Sequence, residues 1–411
     1  MDEPSSSSAK LKRSSDIVYI PRLRVGATCR PACPSSAVVT LAVILHHVHQ
    51  RYRQPWPALR PTRPLRLVMA HRRISSTHSG SPFVIPDTMK AAAVDRFGPP
   101  SALTLHEVPV PRPGPQEVLI AIDTAGVCSW DASIRDGSWR KPGRTRFPLV
   151  PGVDGSGVVV ARGARVRRVH VGDRVHAYEF GNRQGGFYAE FAAAHASHVS
   201  RVPRGLDLRA AAAVATTGLT ALQGIDALEV RRGQSVLIFG ASGAVGTMAV
   251  QFAARRGAHV IATASGAAAA RLVRTLGAHR VIDARRARSL EQLRKFAPDG
   301  LDGVLALAGG EELERCLDFL RPKGRVVHPN GIDPVPNERP TFRVRAFDAV
   351  ASPREFEKLH RHLGKHGIRV PIAASYPLGK AAQAHRRLDR EHSLGRMVLR
   401  VHRGASFLED V

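Results

Sequence analysis

The chain has 411 residues, of which 43% are hydrophobic and 23% charged, a composition typical of a globular protein with two or more domains. Four cysteines in so long a chain exclude a disulfide scaffold, and no apolar run approaches the roughly 20 residues that a membrane helix needs. The net charge of +27 comes from 61 basic residues, mostly arginines spread along the chain, against 34 acidic ones. We interpret it as a bias in residue usage, because a nucleic-acid surface usually clusters its cations.

Residues 1–88 differ from the rest of the chain in composition and in hydrophobic patterning. They are rich in Ser, Pro and Arg and show neither helical nor strand periodicity. Such a segment cannot bury enough apolar surface to offset its ordering entropy. We predict a basic, disordered extension, with Met89 as the natural beginning of the folded chain. An organellar targeting peptide and a nucleic-acid-binding tail are the alternatives.

From Met89 to about residue 208, short apolar runs alternate with turns that contain Pro and Gly. Examples are the runs Val118–Ile122, Gly157–Val160 and Arg174–Tyr178. Short strands at this spacing predict a compact antiparallel barrel or sandwich over residues 89–208.

Near Leu208 the pattern changes to an alternation of helices and strands. An alanine-rich helical stretch from Arg209 to Leu228 is interrupted at Thr217-Gly218. Apolar runs follow, separated by helical segments, at Val236–Phe239, His259–Thr263, Arg280–Asp283, Gly303–Leu307 and Arg325–His328. Runs of this kind are buried on both faces and indicate a parallel, doubly wound sheet over residues 209–345.

The last part of the chain, residues 346–403, has less regular patterning. We predict helices near Pro353–Leu363 and Gly379–Leu388, and a final strand at Met397–Val401.

The clearest motif follows the first apolar run of the parallel sheet. A glycine-rich loop connects that strand to an amphipathic helix and consists of Gly240, Ala241, Ser242, Gly243, Ala244, Val245 and Gly246. In this position the small residues let main-chain N–H groups approach a pyrophosphate, and the helix dipole favours the anion. The loop therefore predicts dinucleotide binding.

The end of the next strand indicates which dinucleotide binds. An NAD site expects an Asp or Glu there to accept a hydrogen bond from the ribose 2′-hydroxyl, whereas this strand ends in Ala-Thr-Ala-Ser-Gly, at residues 262–266. A 2′-phosphate would be favoured by Ser265 and by Arg271, the nearest cation in sequence. We predict NADP(H) as the cofactor. The competing interpretation of Arg271 is that it is a solvated residue of the following helix.

The order of these parts resembles the medium-chain dehydrogenase/reductase superfamily over about Met89 to His402. Besides the glycine loop, the motifs that carry the resemblance are Met89–Ala92, Ala125–Cys128, Pro151–Gly157, Val171–Val175, Thr216–Ala221 and Gly395–Leu399. The resemblance implies a GroES-like substrate domain at 89–208, completed by 346–403, and a Rossmann domain at 209–345. It places the active site between them.

Zinc alcohol dehydrogenases of this superfamily hold a catalytic zinc with Cys, His and a second Cys. Cys128 lies at the first position, but Val153 stands at the histidine and the segment Ala213–Gly218 contains no ligand. One thiolate cannot form a site that needs three protein ligands. We therefore predict no zinc, with Cys128 lining the pocket and Cys316 in the core.

Several residues become candidates for substrate and cofactor contacts through the resemblance. The segment that lines the pocket in the superfamily contains Cys128, Trp130 and Asp131. Ser133 and Tyr178 are candidate donors to a developing oxyanion. Thr217 is expected near the nicotinamide ribose, and Asn330 and Gly331 follow a parallel strand at the ligand-binding edge of the sheet.

Without a Lewis acid, the favoured acceptor is one that is already electrophilic. We predict an NADPH-dependent, zinc-independent oxidoreductase that transfers a hydride to a quinone or an α,β-unsaturated carbonyl compound, resembling the quinone oxidoreductases. We expect a cytoplasmic protein, with a homodimer as a possible assembly. The alternatives are a zinc-type alcohol dehydrogenase, a nucleic-acid-binding protein that uses this fold and its basic tail, and a protein that binds NADPH without catalysis.

Overall fold

The computed structural model describes residues 84–139, 145–182 and 184–401. The predicted extension lies outside the described residues as far as residue 83. Within the part that is described, no helix is long and apolar enough to cross a membrane.

The strands are numbered here in chain order. They are β1 (Thr88–Ala93), β2 (Thr104–Pro109), β3 (Glu117–Val127), β4 (Asp154–Arg162), β5 (Arg174–Tyr178), β6 (Phe191–His195), β7 (Val199–Arg201), β8 (Ser235–Phe239), β9 (His259–Thr263), β10 (Arg280–Ile282), β11 (Leu301–Ala306), β12 (Leu320–Pro329), β13 (Arg343–Phe347), β14 (Ile372–Pro377) and β15 (Arg396–Arg400). The α-helices are α1 (Ser129–Asp136), α2 (Leu208–Ala227), α3 (Ala244–Arg255), α4 (Ala267–Thr275), α5 (Ser289–Phe296), α6 (Glu311–Leu317), α7 (Pro353–His366) and α8 (Ala381–Arg390).

The first domain is built on a mainly antiparallel, seven-stranded sheet. Its strand order is β14-β15-β3-β4-β5-β7, with β6 paired to β3, and β1 and β2 form a separate antiparallel pair. Within this sheet β14 and β15 run parallel, a pairing that the expectation of an antiparallel barrel did not include. Because β15 pairs with β3, the C-terminal segment is an integral part of this domain.

The second domain contains six parallel strands in the order β10-β9-β8-β11-β12-β13. This is the doubly wound order of a Rossmann sheet, in which ligands bind at the carboxyl ends of the strands. The predicted parallel sheet is thus confirmed, and its last strand continues to Phe347, slightly beyond the predicted limit.

Helix α2 contradicts one prediction, and its packing shows why a glycine stands at this position. The helix runs without a break through Thr217-Gly218, where the sequence predicted an interruption. A Cβ at Gly218 would lie 2.9 Å from a methyl carbon of Leu359 on α7. The glycine therefore permits close helix packing, and α7 joins a core shared with the parallel sheet.

Candidate functional site

The glycine loop adopts the geometry that its sequence predicts. Gly240 follows β8 with a φ of +82°, and Gly243 is the N-cap of α3, so the main chain turns sharply from strand to helix. A Cβ on Gly246 would lie 2.3 Å from the Gly240 carbonyl oxygen, a distance no real side chain can adopt. Ala241 and Ser242 are buried in this turn, and Ala244 and Val245 begin the helix.

Gly243 differs from Gly246 in what surrounds it. A Cβ added there would find its nearest atoms at 3.5 and 3.7 Å, which is ordinary van der Waals contact. The fold itself therefore has room for a side chain at Gly243. Its lack of one keeps the start of α3 accessible to an anion, which the N–H groups of the first turn and the helix dipole favour.

A segment from the first domain contacts this loop, which the sequence did not indicate. His392 Nε2 lies 2.9 Å from Ser242 Oγ, and the Gly395 N–H donates to the Ser242 carbonyl oxygen at 3.1 Å. Both residues belong to the stretch between α8 and β15. The glycine loop is thus contacted by residues of both domains.

The end of β9 is the expected position of the adenosine ribose. Ser265 is exposed there, and its hydroxyl donates to Asp283 at 3.3 Å. Asp283 also pairs with Arg285 at 3.3 Å and with Arg286 at 3.5 Å. Arg271 is an exposed residue of α4.

Asp283 changes the charge balance that we expected at this position, because it brings a carboxylate beside Ser265 from the next strand. Its pKa is lowered: partial burial, which raises it, is outweighed by hydrogen bonds from Arg285 and Ser265. Asp283 is therefore ionised at neutral pH, and its two arginine partners leave a net positive charge.

In the first domain, Asp131 is the centre of a buried polar cluster. It lies on α1, a helix that the sequence analysis did not identify, and it is fully buried. The Cys128 N–H donates to one carboxylate oxygen at 2.7 Å and the Val153 N–H donates to the other at 3.0 Å. Burial raises the pKa of Asp131 from its ordinary value of 3.8 to about 6, although Arg396 opposes the shift.

A chain of hydrogen bonds runs from Arg135 through His385 and Tyr188 to Asp131. Arg135 can only donate, so the His385 Nδ1, 3.0 Å from its guanidinium, must accept. His385 then carries its hydrogen on Nε2 and donates to the Tyr188 hydroxyl at 3.0 Å, which donates to Asp131 at 3.2 Å. Burial lowers the pKa of His385 to about 3, with Arg135 adding to the effect, so the ring stays neutral.

The second buried carboxylate, Asp154, has a different partner. It lies 2.5 Å from the guanidinium of Arg396, and both side chains are buried. Its other oxygen accepts the Thr216 N–H at 3.1 Å. A Cβ on Gly126 would lie 2.3 Å from both charged groups, so this glycine makes room for the ion pair.

Three aromatic rings of the first domain pack against one another. Trp130, Trp139 and Phe180 contact one another edge to face, with centroids 4.3 to 5.8 Å apart. Trp130 also reaches the second domain, because a Cβ on Gly331 would lie 3.0 Å from its ring. Trp139 borders a cavity of about 140 Å³, a size that holds a benzene-sized ring.

The remaining predicted residues occupy more varied environments. Ser133 is half-buried on α1. Tyr178 lies in β5, where burial and then the nearby Cys128 raise the pKa of its hydroxyl. The Thr217 hydroxyl donates to the Ala213 carbonyl oxygen at 2.5 Å within α2, and Asn330 is exposed beside Gly331 after β12.

The residues at the position of a catalytic zinc do not fit that ion. Cys128 is half-buried and provides one thiol, whereas a catalytic zinc needs three protein ligands. Val153 has no donor side chain, and Asp154 is committed to Arg396. Among the residues that the structure describes, no group of three or more His, Cys, Asp or Glu side chains could hold a metal ion.

Both domains match known protein families. Residues 114–204 match the family described as alcohol dehydrogenase GroES-like domain, and residues 244–338 match the family described as zinc-binding dehydrogenase. The quinone oxidoreductase of Rattus norvegicus is 33% identical over 325 residues, which are 75% of this chain and 96% of that protein.

Two further proteins bear on the chemistry. Alcohol dehydrogenase 1 of Neurospora crassa is 34% identical over 273 residues, covering 60% of this chain and 76% of that one. The structure of a mycobacterial protein complexed with NADPH is 29% identical, with a TM-score of 0.68, over 76% of this chain and all of that one.

Proposed function

Because the chain belongs to the medium-chain dehydrogenase/reductase superfamily, in its quinone oxidoreductase-like branch, we propose that this oxidoreductase is an NADPH-dependent, zinc-independent reductase of quinones or α,β-unsaturated carbonyl compounds. The observation that carries the proposal is the set of residues at the ligand positions of a catalytic zinc. Cys128 is the single candidate ligand there, whereas Val153 and the buried stretch Ala213–Gly218 offer no side chain that binds zinc. The neighbouring carboxylate of Asp154 is already paired with Arg396.

The residues of the glycine loop fit a dinucleotide. Gly240 and Gly246 set the turn, Gly243 leaves the start of α3 accessible, and the first N–H groups of α3 would bind the pyrophosphate. When bound, NADPH would supply the hydride. The residues of this chain would orient the acceptor beside it and exclude water.

The preference for NADPH over NADH rests on Ser265 and the arginines near it. A 2′-phosphate would accept a hydrogen bond from the Ser265 hydroxyl and could pair with Arg285, which already shares Asp283 with that serine. The Arg271 side chain is the second candidate for the same charge, since it lies in the helix that follows.

The substrate side supplies shape and hydrogen bonds. The rings of Trp130, Trp139 and Phe180 offer flat apolar faces for a planar acceptor. The developing oxyanion needs a donor that remains protonated. Tyr178 meets this need because burial raises the pKa of its hydroxyl, and Ser133 is the alternative donor.

The deciding experiment measures NADPH and NADH oxidation against a panel of quinones, enals and enones, with and without a strong chelator. We expect turnover that survives chelation and is faster with NADPH. Loss of activity on chelation, with recovery on adding zinc, would contradict the proposal.

A zinc-type alcohol dehydrogenase is the second candidate, favoured by the similarity to alcohol dehydrogenase 1 of Neurospora crassa. It predicts a stoichiometric zinc in the purified protein and oxidation of simple alcohols. Elemental analysis and an alcohol-oxidation assay distinguish the two candidates.

We also propose a cytoplasmic homodimer, since the scarcity of cysteine fits a reducing compartment. Strand β13 is the last strand at one edge of the parallel sheet, so its outer edge can pair with a second copy. Light scattering after gel filtration gives the mass, and a monomer at micromolar concentration would contradict a dimer.

A further inference from the structure

We propose that His392 binds the pyrophosphate of the dinucleotide, reaching it from the segment between α8 and β15. The inference rests on the proposed function in that it takes the ligand to be NADP(H). It adds a side-chain ligand, contributed by the first domain, to a phosphate site otherwise made of main-chain groups in the second.

The position of His392 is fixed by contacts on both sides of the loop. Its Nε2 lies 2.9 Å from Ser242 Oγ, at the centre of the glycine loop. Gly395 donates to the Ser242 carbonyl oxygen at 3.1 Å and forms a parallel β-bridge with Gly243. The segment carrying His392 is therefore held against the loop by main-chain contacts, independently of the histidine side chain.

The imidazole lies beside Gly243. A Cβ on Gly243 would lie 3.7 Å from His392 Cε1, in ordinary van der Waals contact, so the ring adjoins the N-cap of α3. His392 is itself exposed, whereas Ser242 is buried. A ligand bound at the start of α3 would therefore lie within reach of the imidazole.

The charge of the site favours such a group. A pyrophosphate linkage carries two negative charges, and residues 240–247 contain no Lys, Arg or His. The helix terminus supplies only about half an elementary charge. When the Ser242 hydroxyl donates to Nε2, the imidazole hydrogen is on Nδ1 and is available to a phosphate oxygen.

The next residue adds unused hydrogen-bonding capacity. Ser393 Oγ is buried and has no hydrogen-bond partner among the described residues. A buried hydroxyl without a partner is costly, and a bound polar ligand would remove that cost.

The test measures binding by calorimetry, using two probes and three variants. NADP⁺ contains the pyrophosphate, whereas adenosine 2′-monophosphate contains the 2′-phosphate alone. We expect His392→Ala to weaken NADP⁺ binding about ten-fold, as the loss of one charge-assisted hydrogen bond predicts, and to leave the binding of adenosine 2′-monophosphate unchanged. His392→Gln, which keeps an N–H donor, should recover most of the affinity for NADP⁺.

The control variant is His170→Ala, which removes an exposed histidine of the first domain outside the loop and should bind both probes like the wild type. Equal NADP⁺ affinity in wild type and His392→Ala would overturn the role of His392. A parallel loss of both probes would overturn it too, because it would indicate general damage. A wild-type protein that binds neither probe would instead refute the proposed function.

Discussion

The proposed cofactor site and the proposed substrate site, called the cofactor side and the substrate side below, are constructed in opposite ways. The cofactor side is a continuous stretch of main chain, from β8 through the glycine loop into α3, in which small residues leave space. The substrate side is a network of large polar side chains, centred on Asp131 and Asp154, that come from distant parts of the chain. Substitutions that add atoms should therefore impair the cofactor side, and substitutions that remove polar groups should destabilise the substrate side.

The largest effect is expected from breaking the buried ion pair on the substrate side. Arg396→Met leaves Asp154 buried without its counter-charge, which should cost about 3–5 kcal/mol of the free energy of unfolding. Chemical denaturation measures it. Lys295→Met is the matched control, because the partner of Lys295 is an exposed glutamate, and it should leave the denaturation midpoint unchanged. If Arg396→Met has the same denaturation midpoint as the wild type, the pair is not needed for stability.

The next test compares two glycines of the cofactor side. Gly246→Ala places a Cβ against the Gly240 carbonyl oxygen and should lower the free energy of unfolding by about 1–3 kcal/mol and abolish NADPH binding. Gly243→Ala meets no close atom, so its stability should equal that of the wild type while NADPH binding weakens. Thermal unfolding with and without NADPH separates the two outcomes. Equal destabilisation by both variants would contradict the assignment of Gly243 to the ligand.

The third test uses the raised pKa of Asp131, which is about 6 against an ordinary value of 3.8. Between these values the folded protein binds more protons than the unfolded one, so Asp131 makes stability fall as the pH rises. The stability of wild type relative to Asp131→Asn should therefore be greater at about pH 4.5 than at about pH 7.5, by about 2 kcal/mol. A difference that does not change with pH would show that the pKa of Asp131 is not raised.

The contrast between the two sides also explains what the sequence could predict. The bounds of β5 and β9 agree with their apolar runs, and the glycine loop follows from consecutive residues. The chain from Arg135 through His385 and Tyr188 to Asp131 joins residues up to 250 positions apart, so no local pattern indicates it.

Some missed features did leave a local signal. Asp131 lies three residues after the N-cap of α1 and bonds back to its N–H, a capping arrangement that marks the start of a helix. The contact between His392 and Ser242 had no such signal, because it depends on how the two domains pack.

The smallest expected effect concerns the adenosine end, where the cofactor side does rely on side chains. Arg285→Ala should weaken NADPH binding about ten-fold and leave NADH binding unchanged, because the arginine beside Asp283 and Ser265 would pair with the 2′-phosphate alone. Arg271→Ala tests the second candidate, an exposed arginine that is nearer to Ser265 in sequence, and it should weaken NADPH binding less than Arg285→Ala does. Fluorescence titration gives both affinities. If NADPH affinity falls in Arg271→Ala instead, the 2′-phosphate is bound by the arginine nearest to Ser265 in sequence and not by the one in contact with Asp283. In that case the adenosine end, like the glycine loop, could be predicted from neighbouring residues of the sequence.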